Sequence, residues 1–239
     1  MARELRLTQE TYICLSDGRL VIANLRRDKY SCLTEANTQL FLRLFPSLAK
    51  GNTNESTGLP ADKRAADRVV AALCRHELLV NEPRAGKPVE VIDIPQVVRS
   101  RSSMASGDHH VRPSADLVRF FGAAAVASIK LKMLPLSRMV RGIEARRIGA
   151  RKNASQDLIS MVRLATTFQQ LRPLYPRKYL CRFDSLALLE FLALHHCYPQ
   201  WVFGVRGEPF GAHCWVQEGD CVLNDSVEYV NRFTPIMAF

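Results

Sequence analysis

The sequence predicts an α+β protein in two parts: a small three-stranded sheet followed by helices, then a helix-rich region that closes in short strands. Three observations predict it. Two apolar runs flank Ser16-Asp17-Gly18, which marks an early hairpin. Apolar residues then recur at helical spacing over 34–78 and again over 114–171. Strand-like runs return only after residue 200. A chain of 239 residues fits two domains of modest size.

The elements follow in order. Thr11–Leu15 and Arg19–Leu25 form the hairpin, and Lys29–Leu33 supplies a third strand after the polar turn Arg26-Arg27-Asp28. Thr34 is placed to cap a helix carrying Leu40, Phe41, Leu44 and Phe45. Pro60 opens a second, with Val69, Val70, Leu73 and Leu78 as its apolar stripe, and the stretch between Gly51 and Gly58 is turn-like. Residues 1–84 are therefore one domain. Residues 85–113, with the polar run Ser100–His110, are expected to be a linker, and its paired His109 and His110 are expected to be surface residues. Residues 114–239 form the second domain. Helices are expected over 114–133, 136–149 and 155–171, broken by Pro135 and Pro173. A further helix starts at Cys181 and carries Leu186, Leu188, Leu189 and Phe191. Strands follow near 201–206, 212–218 and 221–223.

Composition narrows the function classes. Hydrophobic residues make up 47% and charged residues 23%, as in a soluble globular protein. No apolar signal segment opens the chain. The longest apolar stretch, Phe120 to Ile129, is too short to span a bilayer and is expected to be a buried helix. Seven cysteines with no framework spacing argue for reduced thiols in a cytoplasm. Without a C-x-x-C pair, no metal site is expected. The charge is uneven: residues 85–180 carry +11 and residues 181–239 carry −4. The basic centre suits nucleic acid, an acidic peptide or a partner protein; it also suits the solvated faces of basic helices.

Three residues bear chemistry. Cys181 opens a helix, where the peptide dipoles favour a thiolate. His213 lies on an alternating strand, Gly211–Val216, from which an imidazole can exchange a proton with that thiol. Asp225 ends the next run, Cys221–Asp225, where a carboxylate can fix the imidazole tautomer. Asn224 is an alternative partner for the imidazole. Taken singly, these residues read as a core cysteine, a structural histidine and a turn aspartate.

Their flanks carry a resemblance. Cys181 with Ser185-Leu186-Ala187-Leu188, then Pro209-Phe210-Gly211-Ala212-His213-Cys214-Trp215-Val216, then Val222-Leu223-Asn224-Asp225, then Phe233-Thr234-Pro235-Ile236, resembles the transglutaminase-like, papain-like cysteine protease domain of lasso peptide maturation B proteins. The resemblance implies that Cys181, His213 and Asp225 are catalytic. It also implies no cofactor. Cys214 departs from the pattern, which has a small residue there. The first 84 residues resemble the winged-helix-like leader-recognition domain that accompanies this protease. The resemblance then implies that a precursor peptide binds along the third strand near Tyr30 and Cys32, against the helix that holds Asp67 and Val70. Extended peptides add to sheet edges in this way. A separate asparagine-synthetase-like lasso cyclase is the implied protein partner, and neither nucleic acid nor a membrane is expected as one. The alternatives are a transglutaminase-type acyl transferase on the same triad, and a non-catalytic peptide- or DNA-binding protein.

Overall fold

The computed structural model describes residues 5–49, 63–82, 85–104, 113–151 and 157–239. It is α+β and divides into two compact units: Met1–Asp93 with Arg206–Phe210, and Ile94–Val205 with Gly211–Phe239.

In the first unit, β1 (Arg6–Thr8) precedes β2 (Thr11–Ser16), β3 (Arg19–Asn24) and β4 (Lys29–Cys32), which form a sheet in the order β2-β3-β4. Asp17 and Gly18 both take positive φ, 49° and 74°. This is the two-residue turn that the Asp-Gly pair predicts. Thr34 caps α1 (Glu35–Leu44) by accepting from the Asn37 N–H. Then comes α2 (Lys63–Arg75), whose expected start at Pro60 lies outside the described residues, as does the stretch Gly51–Gly58. A second small sheet, β5-β1-β6, joins β1 to β5 (Leu79–Val80) and β6 (Gly86–Lys87). A Cβ on Gly86 would lie 2.6 Å from both the Arg6 Cβ and the Leu7 carbonyl oxygen, so only glycine allows these strands to meet. Leu7, Ile13, Leu20, Ile22, Phe41, Leu73 and Leu79 form the core.

In the second unit, β7 (Arg99–Ser100) and α3 (Arg101–Met104) lead to three long helices: α4 (Pro113–Met133), α5 (Leu136–Arg151) and α6 (Leu158–Leu171). After α7 (Cys181–Ala193) come β8 (Gln200–Arg206), β9 (Gly211–Glu218), β10 (Cys221–Val222), α8 (Val227–Val230) and β11 (Thr234–Ala238). The sheet order is β11-β8-β9-β10-β7. Residues 85–113, expected as linker, thus supply β6 to one unit and β7 to the other. His109 and His110 lie outside the described residues.

Helix α7 is the centre of this unit. Every residue from Phe183 to Leu192 is buried, and α4, α6 and β9 all pack on it. Part of the basic excess is consumed here. Lys130 of α4 and Arg146 of α5 both bind the carboxylate of Glu190, at 2.7 and 2.8 Å, and Arg147 binds Glu218 at 3.0 Å. Lys130 and Arg146 tie α4 and α5 to α7, and Arg147 ties α5 to β9. The apolar stretch in α4 is only half buried: Phe120, Ala123, Ala124 and Ala127 face inward, whereas Val126 and Ile129 are exposed. Its sequence is apolar all round, so periodicity gives no sign of a bare face. No described helix is long and apolar enough to cross a membrane.

Candidate active site

Cys181 is the first residue of α7, as the sequence predicts. Leu180 precedes it in extended conformation and offers no side-chain cap. The cap comes from within the helix: the Leu180 N–H donates to the Asp184 carboxylate at 2.6 Å. Asp184 is held in turn by the buried guanidinium of Arg172. That guanidinium also donates to the carbonyls of Tyr175, Arg177 and Lys178, at 3.1, 3.0 and 3.3 Å. One side chain therefore fixes most of the segment leading to Cys181. No local signal in the sequence separates Arg172 from an ordinary surface arginine.

His213 lies on β9, and its Nε2 is 2.7 Å from Asp225 Oδ2. That bond leaves Nδ1 for the Cys181 thiol, which also hydrogen-bonds the imidazole. The ring is held by Tyr229 edge-on at 5.0 Å and by Phe233 at 5.2 Å between centroids. The second oxygen of Asp225 accepts from the Ser226 N–H at 2.8 Å, so both ends of the carboxylate are fixed. Asp225 does not end a strand as expected. Strand β10 stops at Val222, and Asp225 sits in the bend just before Ser226, the N-cap of α8.

Asn224 does not serve the imidazole in these bonds. Its Oδ1 accepts from the Val216 N–H at 2.8 Å, and its Nδ2 donates to Ser185 Oγ at 3.0 Å. The Ser185 hydroxyl donates to the Cys214 carbonyl at 3.2 Å. This chain staples α7 to β9 and so fixes the sulfur against the imidazole. Ser185 and Asn224 are 39 residues apart, so their pairing has no local mark in the sequence.

The electrostatics suit an ion pair. The hydrogen bond from the Cys214 thiol is the largest influence on Cys181; with His213 it outweighs burial and lowers the Cys181 thiol to about 4. Burial opposes a charged His213, but bonds to Asp225 and Cys181 overcome it and raise the imidazole to about 9. Between these values the thiolate–imidazolium pair dominates. The thiolate is lost as pH falls through about 4, and the imidazolium is lost as pH rises through about 9. Alkylation of Cys181 by iodoacetamide at pH 6 should therefore run about threefold faster than for an ordinary thiol, the larger thiolate fraction being partly offset by the weaker nucleophilicity of a low-pKa sulfur, and its rate should stay flat from about pH 6 to 8 where an ordinary thiol's rises. Asp225→Asn removes a charge that raises His213, so the alkaline limb of the profile should move to lower pH.

Among the described residues, no group of three His, Cys, Asp or Glu side chains is placed to hold a metal ion. The arrangement supports nucleophilic attack by sulfur with proton transfer through an imidazole.

Residues 122–238 match the transglutaminase-like superfamily, and the match includes Cys181, His213 and Asp225. Residues 122–238 are a transglutaminase-like domain. A transglutaminase-like domain is compatible with cysteine peptidase or acyl transferase chemistry. No curated protein and no solved structure is significantly similar to the chain.

The expected peptide-binding residues lie in the first unit. The Leu33 N–H donates to the Leu20 carbonyl, and Ile22 is in register with Ser31. Bonding toward β3 therefore falls on Lys29, Ser31 and Leu33, and the backbone groups of Tyr30 and Cys32 aim toward the outer edge of β4. Beside this strand is a groove of about 290 Å³, bounded by Leu33 and Asn37 on one side and by Arg68, Val69 and Ala72 of α2 on the other. Asp67 is exposed and outside that lining. Val70 is 7% exposed and belongs to the core, so it offers no surface to a peptide. The helical turn puts Arg68, Val69 and Ala72 there instead.

Proposed function

We propose that this protein is a cysteine peptidase that removes the leader from a ribosomally made lasso precursor peptide. The observation that carries the reading is the chain from the Cys181 sulfur through His213 to Asp225, with both carboxylate oxygens occupied. The Cys181 thiolate attacks the scissile carbonyl. The resulting oxyanion accepts from the Cys181 N–H, in the first turn of α7 where helix N–H groups lack intrahelical partners. His213 then gives its proton to the departing amine. Water enters, His213 takes its proton, and the thioester is hydrolysed. Asp225 keeps the imidazole oriented throughout. The freed core is the substrate of an asparagine-synthetase-like cyclase, the proposed partner.

The first unit holds the leader as an added strand on β4, bonded to the backbone of Tyr30 and Cys32, with side chains in the groove beside Val69 and Ala72. Cys32→Pro removes an outward N–H without removing a bond to β3. It should weaken leader binding up to about tenfold, the worth of one backbone hydrogen bond. Unchanged affinity by fluorescence anisotropy would place the leader elsewhere.

Incubation with candidate leader–core peptides, followed by mass measurement, tests the whole reading. Peptide cut at one bond next to the core supports it. Stable incorporation of an added amine into a glutamine substrate, without cleavage, assigns the site to acyl transfer instead.

A further inference from the structure

A second thiol lies against the nucleophile. Cys181 and Cys214 lie close enough that each shifts the ionisation of the other. The two backbones are pinned where they meet, since Ser185, one turn along α7 from Cys181, donates to the Cys214 carbonyl. The two sulfurs differ in access. Cys181 is half-buried, whereas Cys214 is 3% exposed. A small oxidant therefore reaches Cys181 first. Another cysteine pair shows what a non-bonding arrangement looks like. Cys14 and Cys32 are both in register with Val21. They lie two strand spacings apart, about 9.5 Å, too far for a disulfide.

We propose that Cys214 is a resolving thiol, which captures peroxide-oxidised Cys181 as a Cys181–Cys214 disulfide and so makes inactivation of the nucleophile reversible. The inference rests on Cys181 being the reactive thiol of the proposed peptidase. The step balances. The Cys181 thiolate attacks a peroxide oxygen; an S–O bond forms, the O–O bond breaks, and the departing hydroxide takes the His213 proton to become water. The Cys214 sulfur then attacks the sulfenic sulfur, forming S–S and breaking S–O. The Cys214 proton leaves with the hydroxide as a second water. Two thiols lose two electrons and one peroxide gains them. Without a resolving thiol, further peroxide carries a sulfenic acid on to the irreversible sulfinic acid.

The test uses the full chain, a slight excess of hydrogen peroxide, and labelling of Cys181 by iodoacetamide. Wild type should lose labelling, lose the mass of two hydrogen atoms, and yield a non-reduced peptide joining the Cys181 and Cys214 segments. Dithiothreitol should restore the labelling. Cys214→Ser keeps a hydroxyl donor beside Cys181 but has no second sulfur, and it should recover about tenfold less labelling after reduction. Sulfinic acid at Cys181 in wild type without a cross-link overturns the proposal. So does a cross-link from Cys181 to another cysteine, or equal recovery in Cys214→Ser. None of these readouts needs a peptide substrate. Failure of the reduced protein to cut any leader would count against the peptidase reading and leave the disulfide result standing.

Discussion

Cys181→Ala is expected to lower leader removal by about four orders of magnitude or more while leaving leader affinity within about twofold of wild type. The size follows from the chemistry, because the neighbouring Cys214 is buried and burial raises its thiol well above the ordinary range, so no second thiolate is presented to form the acyl intermediate. Asp225→Asn should slow cleavage less than Cys181→Ala does, since Asn serves as the third residue in Cys-His-Asn sites of papain-like proteases. The contrast is informative. A purely structural Cys181 would make its alanine variant mild, because the side chain is small and half-buried. Single-turnover assays with a leader–core peptide read both variants, and binding is read separately by anisotropy. Cleavage by Cys181→Ala within tenfold of wild type would remove the nucleophile assignment.

Much of the candidate site is legible in the sequence because its parts sit on local patterns. Cys181 begins a stretch of apolar residues that only a buried helix explains, and His213 lies in an alternating strand. The motif flanks Ser185 and Asn224 were visible as residues, yet their bond was not. The same limit hides three short strands. β5, β6 and β7 are two residues each, and so short a run has no period to detect. Their partners lie far along the chain: β1 pairs with β5 and β6, and β7 pairs in parallel with β10. β11 carries the motif residues Thr234-Pro235-Ile236. Its edge position beside β8 depends on a return of the chain that no local residue announces. The Asp-Gly hairpin and the Thr34 cap are legible for the opposite reason, since each is decided within four residues.

Arg172→Met should destabilise the protein by about 3–5 kcal/mol, the usual cost of stranding one partner of a buried ion pair. In a unit of this size that is a fall in melting temperature of about 10 °C. Arg172 is 1% exposed and Asp184 is 8% exposed, so removing the guanidinium leaves the Asp184 carboxylate without its cation. It also leaves three carbonyls, those of Tyr175, Arg177 and Lys178, without that donor. A second change separates the two consequences. Arg172→Met combined with Asp184→Leu removes the stranded charge and should regain part of the lost stability, because apolar replacement of a buried pair is often close to neutral. Cleavage should not return with it. The segment before Cys181 would still lack its clamp, and the Leu180 N–H would have lost its acceptor, so the thiol would no longer be presented to the carbonyl at a fixed angle. The deficit should fall on the single-turnover rate and leave leader affinity intact, since Arg172 lies in the second unit and the leader is proposed to bind the first. Thermal unfolding checks the first expectation and rapid-quench cleavage the second. Arg172→Met within about 1 kcal/mol of wild type would mean that the guanidinium neither stabilises this unit nor holds the nucleophile's approach segment.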